Sequence, residues 1–171
     1  MAGSSSTGGT AGIAVMRGVP PTLADCELTF HERQPIDLDL AVAQHAAYGD
    51  LLRSLGLEVV ELPADPALPD CCFVEDVAVV LDEVALLTMP GAASRRGEIA
   101  AIEAALARFR PLERTTFPAT LEGGDVLRVG RTLFVGRSAR TNLAGIARLA
   151  AVAEPLGYRV QPVAVTGCLH L

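Results

Sequence analysis

The sequence predicts an α/β chain of ββαβ units set around an axis, helices outermost, with two and a half to three units in 171 residues. Three observations predict it. The runs VEDVAVVLDEVALLTMPGAASRR (74–96) and GGDVLRVGRTLFVGRSARTN (123–142) both carry Asp-Val, two β-rich stretches around a polar turn, and then Ser with a nearby Arg. Their leading acids, Asp76 and Asp125, recur at a period of about fifty residues, which marks a repeat architecture. After each run comes a stretch with apolar residues at helical spacing, such as Ile99, Ile102, Leu106 and Phe109. Finally, VAVVLDEVALL and VLRVGRTLFV read as tight strand pairs, which a flat doubly wound parallel sheet would leave unexplained.

The elements follow in order. Residues 1–12, MAGSSSTGGTAG, lack an apolar core and a basic region, and predict a disordered lead-in rather than a signal peptide. IAVMRG (13–18), a helix within 36–56 and LEVVELP (57–63) predict a first unit whose second strand is not evident; CELTFHERQP stands in its place. The second unit is 74–96, a helix over 97–109 and a strand around 110–117. The third is 123–142, a helix over 139–157 and a strand over 158–165. GCLHL closes the chain at Leu171.

Composition narrows the partners. A net charge of −6 and a pI near 5.0 disfavour nucleic acid and anionic membranes, whose phosphates would be repelled. No stretch has eighteen unbroken apolar residues, so no membrane span is expected. A cationic small molecule fits the sign of the charge. Cys26, Cys71, Cys72 and Cys168 form no CxxC pair and predict reduced cytoplasmic thiols without a metal site. Homo-oligomerisation is left open.

Acids cluster at the mouth of the first strand of each unit: Asp70, Glu75 and Asp76 before one, Glu122 and Asp125 before the next. Units set around an axis bring such positions together, and a cluster of like charges is costly without a cation inside it. A guanidinium suits that place, because its planar donors pair bidentately with carboxylates. Alternatively, Asp70 and Asp125 cap turns and Glu75 faces solvent. Gly123 and Gly124 let a backbone or ligand approach closely. Arg95 and Arg140, beyond the second strands, are positioned to grip a carboxylate or to lie in solvent. Arg96 and Arg137 read as surface charge, and His31 and His45 as packing or surface. His170 as a general acid/base needs a carboxylate to hold its tautomer, with Glu122 the candidate.

Taken together, LPDCCFVEDVAVV (68–80), PGAASRR (90–96), LEGGDVL (121–127), GRSARTN (136–142) and GCLHL (167–171) resemble the dimethylarginine dimethylaminohydrolases of the guanidino-modifying superfamily. The resemblance covers about 28–171 and implies a five-bladed α/β propeller (pentein-like) of ββαβ units, of which 13–171 hold about three. It implies that Asp70, Glu75 and Asp76 bind the substrate on its guanidinium side. It makes Arg95 and Arg140 the holders of the α-carboxylate, Leu28 a ligand contact, Glu122 the support of the catalytic histidine and His170 that histidine. The implied reaction converts asymmetric dimethylarginine or monomethylarginine to citrulline and a methylated amine through a cysteine thiolate, with no cofactor.

In that family the nucleophilic cysteine lies late in a longer chain, and none of the four cysteines matches it. The expectation is therefore an incomplete copy, inactive and poorly soluble unless a second chain closes the ring. The other readings are an arginine deiminase or amidinotransferase relative, and a non-catalytic guanidino-compound binder.

Overall fold

The computed structural model describes residues 12–171; the lead-in expected over 1–12 falls outside the described residues except for Gly12. Three small sheets stand side by side instead of one wide sheet. The first pairs β1 (Ile13–Arg17) with β2 (Glu58–Leu62) in parallel, Ile13 opposite Glu58 and Arg17 opposite Leu62. Helix α1 (Leu38–Ser54) makes the crossover between them. The second sheet runs β3 (Ala78–Val80), β4 (Ala85–Leu87), β5 (Leu112–Arg114), antiparallel and then parallel, with α2 (Ile99–Leu106) between β4 and β5. The third repeats that order with β6 (Val126–Val129), β7 (Thr132–Arg137), α3 (Leu143–Ala153) and β8 (Arg159–Ala164).

Local chemistry explains the boundaries. Asp37 accepts the N–H of Leu40 at 3.0 Å and starts α1; Asn142 accepts that of Gly145 at 2.8 Å and starts α3. No side chain caps α2, which grows out of a 3-10 turn over Ala93–Glu98, so the helix expected over 97–109 is shorter. Gly157, at φ 85°, ends the 3-10 turn after α3 in a left-handed conformation that disfavours other residues. Pro162 is tolerated in β8 because that strand lies at the edge of its sheet.

β4 shows why the units pack as blades. All three of its residues are buried, and successive side chains point to opposite faces. Leu86 joins Leu81, Leu121, Leu133, Val135 and Leu149 in a core shared with the third unit. Ala85 and Leu87 join Val77, Ile102 and Leu106 in a second core, against which Val15 and Leu62 of the first unit pack. A strand buried on both faces reads as a continuous apolar run, as ALL does.

Side chains at the hairpin tips join units two and three. Arg128 donates to both carboxylate oxygens of Asp82, at 2.9 and 2.8 Å, and Arg131 pairs with Glu83 at 2.7 Å. Tyr158 donates to Glu83 at 3.1 Å and accepts the N–H of Asp82 at 3.3 Å, while both arginines stack on its ring. By contrast, only Gly49 of α1 is buried, and Leu40, Tyr48, Leu51 and Leu55 nearby are exposed.

Candidate active site

The acids expected at strand mouths sit on 3-10 turns that lead into the first strand of a unit: Glu75 and Asp76 within Val74–Val77, Asp125 within Gly123–Asp125. These turns touch. The N–H of Gly124 donates to Asp76 Oδ1 at 3.1 Å, and a Cβ on Gly123 would lie 2.0 Å from the carbonyl oxygen of Glu75. A Cβ on Gly124 would lie 2.6 Å from Asp76 Oδ1 and 2.9 Å from the His170 ring. The glycine pair thus lets two acid-bearing turns and a histidine close on one another.

At their junction is a cavity of about 260 Å³ whose lining includes Leu28, Asp70, Glu75, Asp76, Glu122 and His170. Arg95 and Arg140 also line it, so all eight residues that the resemblance names converge, whereas Asp125, the fifth acid expected in the cluster, is not in its lining. A larger groove of about 780 Å³, between α1, β1 and α2, is mostly apolar and shares only Glu75 with this site.

Asp70 turns both carboxylate oxygens toward the N–H of Glu27, at 3.1 Å each, and so draws the 26–29 segment with Leu28 over the cavity. Glu75 sits at the rim. Glu122 is fully buried; its Oε1 accepts the N–H of Gly91 at 3.0 Å and lies 3.6 Å from Arg140 Nη1. Burial raises the carboxyl pKa of Asp70 and Glu122 above the usual range, against the pull of Arg95 and Arg140. Glu75, an exposed residue at the rim, is raised too by partial desolvation of its carboxyl, against the pull of Arg95.

Arg95 is already engaged. Its guanidinium pairs with Asp76 at 2.5 Å and with both oxygens of Glu98 at 3.0 and 2.9 Å, and donates to the Phe73 carbonyl at 3.2 Å. Asp76, Arg95 and Glu98 are all buried. The cation held by these acids is therefore the protein's own, which the sequence reading did not foresee. Glu98 was missed outright; its only signal is its place three residues after Arg95. Arg140 is freer: it donates to Thr29 Oγ1 at 2.8 Å and reaches Glu122 only at 3.6 Å.

His170 Nε2 lies 3.4 Å from Asp76 Oδ1 and 3.9 Å from Glu122 Oε2; Nδ1 faces Asp125 Oδ1 at 3.5 Å. The carboxylate behind the ring is thus Asp125, whereas Glu122, expected to hold the tautomer, stands on the side of the other nitrogen. The reason is geometric: the turn over Gly123–Asp125 carries the two acids to opposite sides of the imidazole. Asp125 leads the groups that raise the His170 pKa, followed by Asp76 and Glu122 once desolvation is set against them. Asp76, Glu122 and His170 each offer an atom within 4.8 Å of the others, a spacing suited to a compact cation.

The four cysteines are unpaired. Cys26 and Cys71 are buried, and burial pushes the Cys72 thiol up to about 12. Cys168 is exposed, with its sulfur 3.3 Å from the carbonyl oxygen of His170.

The family model for N,N-dimethylarginine dimethylhydrolase, eukaryotic, matches residues 27–170. The chain belongs to the dimethylarginine dimethylaminohydrolase family. The N(G),N(G)-dimethylarginine dimethylaminohydrolase of Streptomyces coelicolor is 48% identical over 160 residues, 92% of this chain and 62% of that protein. That of Pseudomonas aeruginosa is 38% identical, over 88% of this chain and 59% of its own length. The human putative hydrolase DDAH2 is 37% identical, over 92% and 56%. The chain therefore spans about three-fifths of the length of the curated dimethylargininase relatives it matches. Among solved structures, the P. aeruginosa dimethylaminohydrolase, a Cys-to-Ser mutant complexed with citrulline, superposes with a TM-score of 0.88 at 37% identity over 92% of this chain and 62% of that one. An amidinotransferase from Microseira wollei, 15% identical with a TM-score of 0.71, covers 94% of this chain and 62% of its own and shares the fold. The three sheets are blades of that propeller.

Proposed function

We propose that this chain carries the substrate-holding and acid–base part of a dimethylarginine dimethylaminohydrolase. Asymmetric dimethylarginine or monomethylarginine is its substrate class, with citrulline and a methylated amine as products. The observation that carries the reading is the position of His170 Nε2, facing Asp76 and Glu122 inside an acidic cavity. Asp70, Glu75 and Asp76 take the cationic guanidinium side; Leu28 lies along the ligand. Arg140, weakly paired, is the readier carboxylate holder, and Arg95 reaches a ligand only by loosening its pair with Asp76.

A cysteine thiolate attacks the guanidinium carbon, and the methylamine leaves with the proton from His170 Nε2. His170 then takes a proton from water, whose oxygen attacks the thiouronium carbon; collapse forms the citrulline carbonyl and releases the thiolate. Glu122 offsets the charge on the imidazolium. The thiolate is assigned to none of the four cysteines here. A second reading is a binder of guanidino compounds without turnover, for which the carboxylates and arginines that line the cavity suffice.

Calorimetric titration with asymmetric dimethylarginine, monomethylarginine and citrulline tests both. Binding of the cations over neutral citrulline, lost in Asp76→Asn, is expected; no binding of either methylarginine would sink both readings. Release of dimethylamine, ammonia or neither separates a dimethylargininase from an arginine deiminase and from a binder.

A further inference from the structure

We propose that Glu98, a buried acid outside the cavity, sets the charge that a ligand meets inside it. By neutralising Arg95 from behind, it leaves Asp76 negative toward the ligand, so that cationic methylarginine is held in preference to neutral citrulline. This rests on the substrate class proposed above. The side chains of Glu98, Arg95 and Asp76 are 2%, 5% and 6% exposed, so water screens little between them. Glu98 accepts Arg95 Nε at 3.0 Å on one oxygen and Nη2 at 2.9 Å on the other, the fork of an ionised carboxylate on a guanidinium. The carbonyl oxygens of Phe73 and Asp70, 3.2 and 3.4 Å from Nη2, complete that edge. Nη1 is turned to Asp76 Oδ2 at 2.5 Å.

One cation between two carboxylates leaves the trio with a charge of −1 (1 − 2 = −1). Without Glu98, the charges of Arg95 and Asp76 would cancel. The acid that faces His170 Nε2 and the Gly124 N–H would then carry no net field into the cavity. Arg95 and Arg140 line that cavity together with Glu27, Asp70, Glu75, Asp76 and Glu122, whereas Glu98 is not in its lining. Glu98 therefore acts through Arg95, without touching a ligand. Methylarginine and citrulline share their α-amino-acid end and differ by one positive charge at the other. A charge behind Arg95 thus acts on the ratio of their affinities. A residue that only let Arg95 be buried would change both affinities alike.

The test is that ratio, asymmetric dimethylarginine over citrulline, measured by calorimetry in the wild type and in Glu98→Gln. Glutamine keeps the size of the side chain and one oxygen for Arg95, and removes the charge. Across ~12 Å, the most that the contacts through Arg95 and Asp76 allow, one charge at an effective dielectric of about 20 is worth about tenfold. The wild type is expected to prefer the cation, and Glu98→Gln to lower that preference about tenfold. Glu98→Asp, which keeps the charge, should retain it. An unmoved ratio in Glu98→Gln overturns the proposal, as does a wild type that holds both ligands equally. If Glu98→Gln does not fold, the double variant Arg95→Met with Glu98→Gln decides, because removing both partners of a buried pair is commonly tolerated. It loses one charge of each sign, so both affinities should fall while their ratio stays at the wild-type value. A tenfold drop in the ratio there overturns the proposal equally. Failure of methylarginine to bind would sink the proposed function and this assignment with it, whereas binding with an unmoved ratio in Glu98→Gln sinks this assignment alone.

Discussion

Arg95→Met keeps the length and apolar stem of the side chain and removes the charge that Asp76 and Glu98 share. Side-chain exposure is 5% at Arg95, 6% at Asp76 and 2% at Glu98, so solvent replaces little of what is lost. Asp76 keeps the Gly124 N–H and its approach to His170; Glu98 loses its only side-chain partner among the described residues. The cheapest response is for Glu98 to take up a proton. From an ordinary glutamate pKa of about 4.3, this costs about 1.36 kcal/mol per pH unit, or ~4 kcal/mol at pH 7 and ~1 kcal/mol at pH 5. The first figure agrees with the roughly 3–5 kcal/mol typical of breaking a buried pair. The sign follows from Glu98, which burial already raises in the wild type. A carboxyl raised further in the folded variant stabilises below its unfolded pKa, and that contribution is lost as pH rises through the folded value. Urea unfolding at pH 5 and pH 7 measures the difference. With an m-value of about 2 kcal/mol/M, the midpoint deficit should grow from ~0.5 M to ~2 M. A deficit independent of pH, or below about 1 kcal/mol at pH 7, would refute the reasoning.

Three further outcomes follow from the same contacts. Gly124→Ala drives a methyl into Asp76 and the His170 ring, and should weaken methylarginine binding by about tenfold or more, ~1.4 kcal/mol, in calorimetry. Unchanged affinity would mean that the close approach of the turns is irrelevant to the ligand. Methylarginine affinity should fall as pH drops, beginning above the usual carboxylate range, because Asp70, Glu75 and Glu122 are raised and lose charge early while the ligand stays cationic. A flat profile between pH 5 and 8 would remove these acids from the guanidinium side. Tyr158→Phe forfeits the hydroxyl contacts to Glu83 and Asp82 but keeps the stacked arginines, and should cost about 1 kcal/mol in urea unfolding.

The repeat was legible because both copies preserve the same order of acid, strand pair, arginine and helix. The missing second strand of the first unit was legible too: CELTFHERQP forms no strand, and among the described residues β1 pairs only with β2. The 3-10 turns were not, since VEDVAVV carries β-rich residues through the turn and the strand alike. Strand-end convergence anticipates that Asp70, Asp76 and Glu122 line one cavity; that His170 joins them follows from its need for a carboxylate and from the family resemblance, not from strand ends. Which acid serves which imidazole nitrogen was not legible, because Glu122 and Asp125 differ only by a reversal over two glycines. The internal pairing of Arg95 escaped for a related reason: Glu98 at i+3 on an expected helix start reads as solvent-facing, and only the packing of that turn against Asp76 buries it.

The tips of the second and third units are stapled by Asp82, Glu83, Arg128, Arg131 and Tyr158, whereas α1 buries only Gly49. Amide protons should report this inequality as a gradient in exchange with heavy water. Those of β4 and β7 are released together and last, as one cooperative block; those of α1 go early, through openings that leave the rest folded. A mass-spectrometric exchange series that finds α1 as slow as β7 would contradict it.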